Sequence, residues 1–111
     1  MDDSPGFRGA AIELLVGNGF EVFAQAADGP EALAAVARDR PDGILLDVNL
    51  PGPNGFAVAD ALAEACADVR IVLTSADVDQ VPARLLHACA ATAFVPKQEL
   101  VAADLDALFG V

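Results

Sequence analysis

A chain of 111 residues with a formal net charge of −11 has room for one hydrophobic core, and it lacks the cationic surface that neutralises nucleic-acid phosphates. Its 55% hydrophobic content is spread over short runs rather than a membrane-length stretch, and Met1-Asp2-Asp3 opens the chain with no basic region before an apolar one. One soluble cytoplasmic domain over residues 1–111, touching neither nucleic acid nor membrane directly, is the resulting expectation.

Phe7, Ala11, Leu14 and Leu15 recur at helical spacing, which predicts a helix over residues 4–16 with Ser4 as its cap and Pro5 in its first turn. Asn18-Gly19 supplies a left-handed exit. Phe20 to Gln25 alternates around Val22 and predicts a strand. Asp28, with Glu31 three residues on, opens a second helix; its apolar stripe is Leu33, Val36 and Ala37, and Pro41 ends it. Gly43 to Leu46 is an aliphatic run that ends in Asp47 and is stopped by Pro51 and Gly52. Such a run predicts a strand buried on both faces, as in a parallel sheet.

After a turn over residues 51–54, a third helix is predicted over residues 55–66, burying Val58, Ala59 and Leu62. A β-branched strand over residues 69–74 then ends in Thr74-Ser75. A fourth helix over residues 79–89 carries Pro82 in its first turn, where the missing N–H does no harm. Ala93-Phe94-Val95 reads as a short strand followed by Pro96-Lys97, and a last helix is predicted over residues 99–109. Cys66 and Cys89 have no metal-ligand spacing and are expected as small buried apolar residues.

Short strands alternating with helices predict a three-layer α/β/α sandwich around a parallel sheet. Right-handed crossovers put every strand's carboxyl end on one edge, the edge where open α/β sheets bind ligands. That edge collects Asp47, Thr74 and Lys97. Each has an ordinary reading as well: Asp47 as a cap before Pro51, Thr74 as a strand residue, Lys97 as a solvated lysine, and Asp2-Asp3 as a frayed terminus. As a set they suit phosphoryl transfer to Asp47. Charge on the transferred group then needs a divalent cation and fixed donors, and Mg2+ takes one or two carboxylates, a carbonyl oxygen and waters.

The segments Asp2-Asp3-Ser4-Pro5-Gly6-Phe7-Arg8, Ala27-Asp28-Gly29-Pro30-Glu31-Ala32-Leu33, Leu45-Leu46-Asp47-Val48-Asn49-Leu50-Pro51-Gly52, Ile71-Val72-Leu73-Thr74-Ser75 and Phe94-Val95-Pro96-Lys97 stand in a telling order and spacing. With them the chain resembles, over nearly its whole length, the receiver domain of two-component response regulators. The resemblance implies a flavodoxin-like doubly wound parallel sheet. It implies that Asp47 accepts a phosphoryl group from a sensor histidine kinase or a small phosphodonor, and that Asp2, Asp3, Asp47 and the Asn49 carbonyl hold Mg2+. Thr74 matches the hydroxyl that moves toward the phosphoryl group, Lys97 the lysine that pairs with it, and Phe94 the aromatic switch. A downstream protein target would read the state. The chain would then be no conventional enzyme, although it would promote its own phosphorylation and dephosphorylation.

One departure stands out, because receiver domains resemble five βα repeats with an apolar strand directly before the acidic pair. Here Met1 stands there alone. A start upstream of Met1, a strand supplied by a partner chain, or a sheet closed without that strand are the alternatives. For the polypeptide as given, marginal stability or dimerisation through exposed sheet edges is expected. Asp2 and Asp3 are expected to lack an anchor, which keeps open a second function, a phosphorylation-independent interaction module. An aspartate-nucleophile phosphatase is a third, disfavoured because Asn49 stands where its acid/base carboxylate belongs.

Overall fold

The two most aliphatic runs of the chain lie side by side at its centre. In the computed structural model, which describes residues 1, 2, 4–48, 55–76 and 91–110, β1 (Gly43–Asp47) pairs in parallel with β2 (Arg70–Ser75), and β2 pairs in parallel with β3 (Ala93–Pro96). The order β1-β2-β3 keeps the three carboxyl ends on one edge. Leu46, Ile71, Val72 and Leu73 are fully buried. Burying side chains of this size stabilises by about 1.5–3 kcal/mol each, which is why β-branched and leucine runs occupy these positions.

Among the described residues, four helices and a 3-10 turn surround the strands. α1 is Pro5–Gly17, α2 Gly29–Asp39, α3 Gly55–Ala65 and α4 Leu105–Leu108; the 3-10 turn is Lys97–Ala102. Ser4 Oγ accepts from Phe7 N and Asp28 Oδ1 accepts from Glu31 N, so both expected caps form. Glu31 Oε2 reaches back to the amide of Ala27. α3 buries Val58, Ala59 and Leu62 as expected and packs on α2, β1 and β2. It begins in very close contact with the end of β1. A Cβ on Gly55 would lie 2.4 Å from Val48 Cα, so only glycine lets α3 start there, and Gly55 N donates to Val48 O.

Several expectations are corrected. Residues 20–25 form no strand. A strand needs a ladder neighbour, and among the described residues the Asp2 backbone pairs with another backbone group only at Ala26, just beyond this segment. α1 has no fully buried residue, because Phe7, Ala11 and Leu15 face a cavity instead of a packed strand. α2 turns Ala32 and Val36 inward and leaves Leu33 and Ala37 exposed, a rotation set by its packing on α3. The last helix is split: Ala103 is extended, and Asp104 Oδ1 caps a new start by accepting from Ala107 N. Cys66 is buried as expected. Asp3, Asn49, Cys89, the turn over residues 51–54 and the helix over residues 79–89 lie outside the described residues.

Candidate functional site at the carboxyl edge of the sheet

Asp47 is the last residue of β1, 4% exposed, and sits in register with Thr74 on β2, which is fully buried. β3 continues the edge, with Thr74 opposite Val95 and Ser75 opposite Pro96. Lys97 therefore emerges one residue beyond the strand ends, and its Nζ lies 3.5 Å from Asp47 Oδ2. The three groups expected at this edge are brought together.

Asp2 joins them and is held firmly. Its backbone N–H donates to Ala26 O at 3.0 Å, and the preceding carbonyl, Met1 O, accepts from Asp47 N at 2.9 Å. The Met1 ammonium donates to Leu45 O. Met1 and Asp2 thus bridge β1 and residue 26 on their own, which overturns the expectation of an unanchored acidic residue. Asp2 is 1% exposed. Its Oδ1 accepts from Ser4 N at 2.8 Å, its carbonyl accepts from Arg8 Nη1 at 2.6 Å, and its Oδ2 lies 2.7 Å from Lys97 Nζ. That last contact is an ion pair without the directed geometry of a hydrogen bond.

One ammonium thus serves two buried carboxylates. Lys97 is further fixed by Phe7, whose ring centroid is 4.0 Å from Nζ, a cation–π contact. Phe7 and Arg8 stand in the first of the resemblance segments without a site role of their own; α1 begins at Pro5, so its first turn delivers both residues to the edge. Burial lowers the pKa of the Met1 amine from 8.0 to about 6, against the raising effect of Asp2 and Asp47. The Thr74 hydroxyl has no hydrogen-bond partner. Phe94, opposite Leu73 on β3, is half-buried against the core.

Chemically, the edge offers a buried carboxylate, an adjacent buried hydroxyl with unused hydrogen-bonding capacity, and a cation that bridges two acids. Two buried carboxylates that converge on Lys97 are the oxygen ligand type that a hard divalent cation takes. Among the described residues no group of three or more His, Cys, Asp or Glu converges.

The chain matches the Response regulator receiver domain family over residues 1–107. It is 31% identical over 99 residues to the DNA-binding transcriptional activator EvgA of Escherichia coli K12, covering 89% of this chain and 48% of EvgA, so it spans about half the length of that relative. The signal receiver domain of the response regulator NarL from Mycobacterium tuberculosis superposes with a TM-score of 0.80 at 34% identity, covering 99% of this chain and 93% of that one. A response regulator from Burkholderia pseudomallei, solved with a phosphorylated aspartic acid and a calcium ion, has a TM-score of 0.84 at 25% identity, covering 96% of this chain and 62% of that one. The fold is thus flavodoxin-like, built here on three parallel strands among the described residues, and the chain belongs to the receiver domain family of response regulators.

Proposed function

We propose that Asp47 accepts a phosphoryl group from a histidine kinase or a small phosphodonor, and that the chain works as a phosphorylation-controlled switch read by a downstream protein. The observation that carries this reading is the register of Asp47 beside the partnerless Thr74 hydroxyl, with Lys97 Nζ 3.5 Å from the carboxylate. An Asp47 oxygen attacks phosphorus as the P–N bond of a phosphohistidine, or the P–O bond of acetyl phosphate, breaks. The leaving atom keeps the electron pair.

Asp2, Asp3, Asp47 and the Asn49 carbonyl would hold Mg2+, which when bound neutralises charge on the phosphoryl oxygens. Lys97 moves from its acid pair to one of those oxygens, and the Thr74 hydroxyl donates to another. Phosphorylation adds roughly 1.5–2 negative charges at one point, enough to draw both groups. Movement of Thr74 frees room beside β3, and Phe94 turns from its half-buried place into that room, giving two discrete packings. A phosphorylation-independent module is not favoured, since the anchored Asp2 removes its motive.

The reading is tested by incubating the protein with acetyl phosphate and Mg2+ and weighing it intact. Wild type gains one phosphoryl mass and Asp47→Asn gains none. Equal uptake by the variant removes Asp47 from the role.

A further inference from the structure

The Lys97 ammonium lies over the ring of Phe7, with Nζ 4.0 Å from the centroid, and it also lies 2.7 Å from Asp2 Oδ2 and 3.5 Å from Asp47 Oδ2. Neither carboxylate fixes its direction. The Asp2 contact lacks directed hydrogen-bond geometry, and the Asp47 contact is longer than a strong charged hydrogen bond. The lysine side chain is 19% exposed on a flexible four-carbon stem, so water is a competing destination for Nζ.

The ring has a fixed place because the first turn of α1 is tied to the acid beneath the lysine. Ser4 N donates to Asp2 Oδ1 at 2.8 Å, and Ser4 Oγ accepts from Phe7 N at 3.3 Å. Arg8 Nη1 donates to Asp2 O at 2.6 Å, and its Nε donates to Gln25 Oε1 at 3.1 Å. Phe7 therefore stands between two residues bonded to Asp2, and its half-buried ring keeps a set relation to the acid pair. The ring also differs from the carboxylates in what new charge does to it. When an Asp47 oxygen bonds to phosphorus, its pairing with Lys97 ends, whereas a neutral aromatic face keeps its attraction for the ammonium and needs no directed acceptor.

From this arrangement we infer that Phe7 is a positioning residue of the phosphoryl-acceptor site: its ring keeps the Lys97 ammonium at the sheet edge, within reach of the transferred oxygens, instead of in water. The inference rests on the reading of Asp47 as the acceptor. An ordinary place in the apolar stripe of α1 would be served equally well by leucine, so Phe7→Leu separates the two roles, and Phe7→Tyr keeps the ring.

Lys97 is the only lysine in the sequence, so isotopically labelled lysine gives a single side-chain NMR signal. The ring current should move its ε protons upfield in wild type and in Phe7→Tyr, and Phe7→Leu should remove that displacement. Initial rates of phosphoryl uptake from acetyl phosphate and Mg2+, followed by intact mass, should fall roughly fivefold in Phe7→Leu and stay near wild type in Phe7→Tyr. In a Lys97→Met background Phe7→Leu should slow uptake no further, because the ring acts through the ammonium, whereas a loss of packing would slow both backgrounds alike. Unchanged ε-proton shifts in Phe7→Leu, a rate in that variant equal to or above wild type, or slowing that adds to that of Lys97→Met would each overturn the role of the ring and leave Asp47 as acceptor. Absence of any uptake by wild type would overturn the acceptor reading, and the positioning role with it.

Discussion

On one side of β1, residues Gly43 to Asp47 run in register with Arg70 to Thr74, and Ile71, Val72 and Leu73 are completely buried. On the other side the ladder shrinks to two bonds with Met1, and Phe23 stands 58% exposed across a cavity. The comparison separates what a core needs from what a site needs. A core needs the whole length of a strand to bury area. The site needs only the strand's last residues, and Met1 and Asp2 supply those, so the polar edge is assembled although the flank beneath it is open.

The largest expected contrast is between one residue from each flank. Leu46→Ala removes a fully buried side chain between packed neighbours and should destabilise by about 3 kcal/mol, read from the urea midpoint at unchanged slope. Phe23→Ala should change stability by less than about 0.5 kcal/mol, because the ring buries little. Comparable losses from the two would erase the distinction between the flanks.

A smaller effect comes from the amine at the boundary of the flanks. The Met1 amine titrates near 6 in the folded 111-residue chain and at the ordinary value of 8.0 when unfolded. Between those values the unfolded state binds more protons, so stability should rise as pH rises from 6 to 8 and should be lost again on acidification. The full gain is on the order of 2 kcal/mol. Amino-terminal acetylation should flatten that stretch of the pH–stability curve; an unchanged slope would mean that the amine is solvated rather than buried.

Smaller still, Thr74→Val should stabilise the unphosphorylated protein by about 1 kcal/mol, since it replaces a fully buried, partnerless hydroxyl with a methyl of similar size. The same change should weaken any response to phosphorylation. A destabilised variant would show that the hydroxyl has a partner in solution and is already engaged.

What could be read in the sequence follows the same division. Gly43 to Asp47 and Arg70 to Ser75 were legible because uninterrupted aliphatic and β-branched runs have few other uses, and their ends placed Asp47 and Thr74 at one edge. Ser4 and Asp28 were legible as caps because their chemistry is local. Residues 20–25 misled because a strand exists only with a neighbour, and periodicity says nothing about whether the neighbour is present. Leu33 misled because Ala32 and Val36 give α2 an equally good stripe, and packing on α3 decides between them. The anchoring of Asp2 was invisible, since backbone bonds to Ala26 and Asp47 leave no mark on residue type, and Phe7 beneath Lys97 looked like any helix stripe.

Hydrogen exchange resolved by residue tests most directly the claim that the edge is held while the flank is open. The amides of Asp2, Asp47 and Val48, which donate to Ala26, Met1 and Thr74, should be protected well above the fraying level, while those of Glu21 to Gln25 should exchange almost freely. An Asp2 amide exchanging as fast as that of Val22 would contradict the account, because the carboxylate beside Asp47 would then have no fixed place.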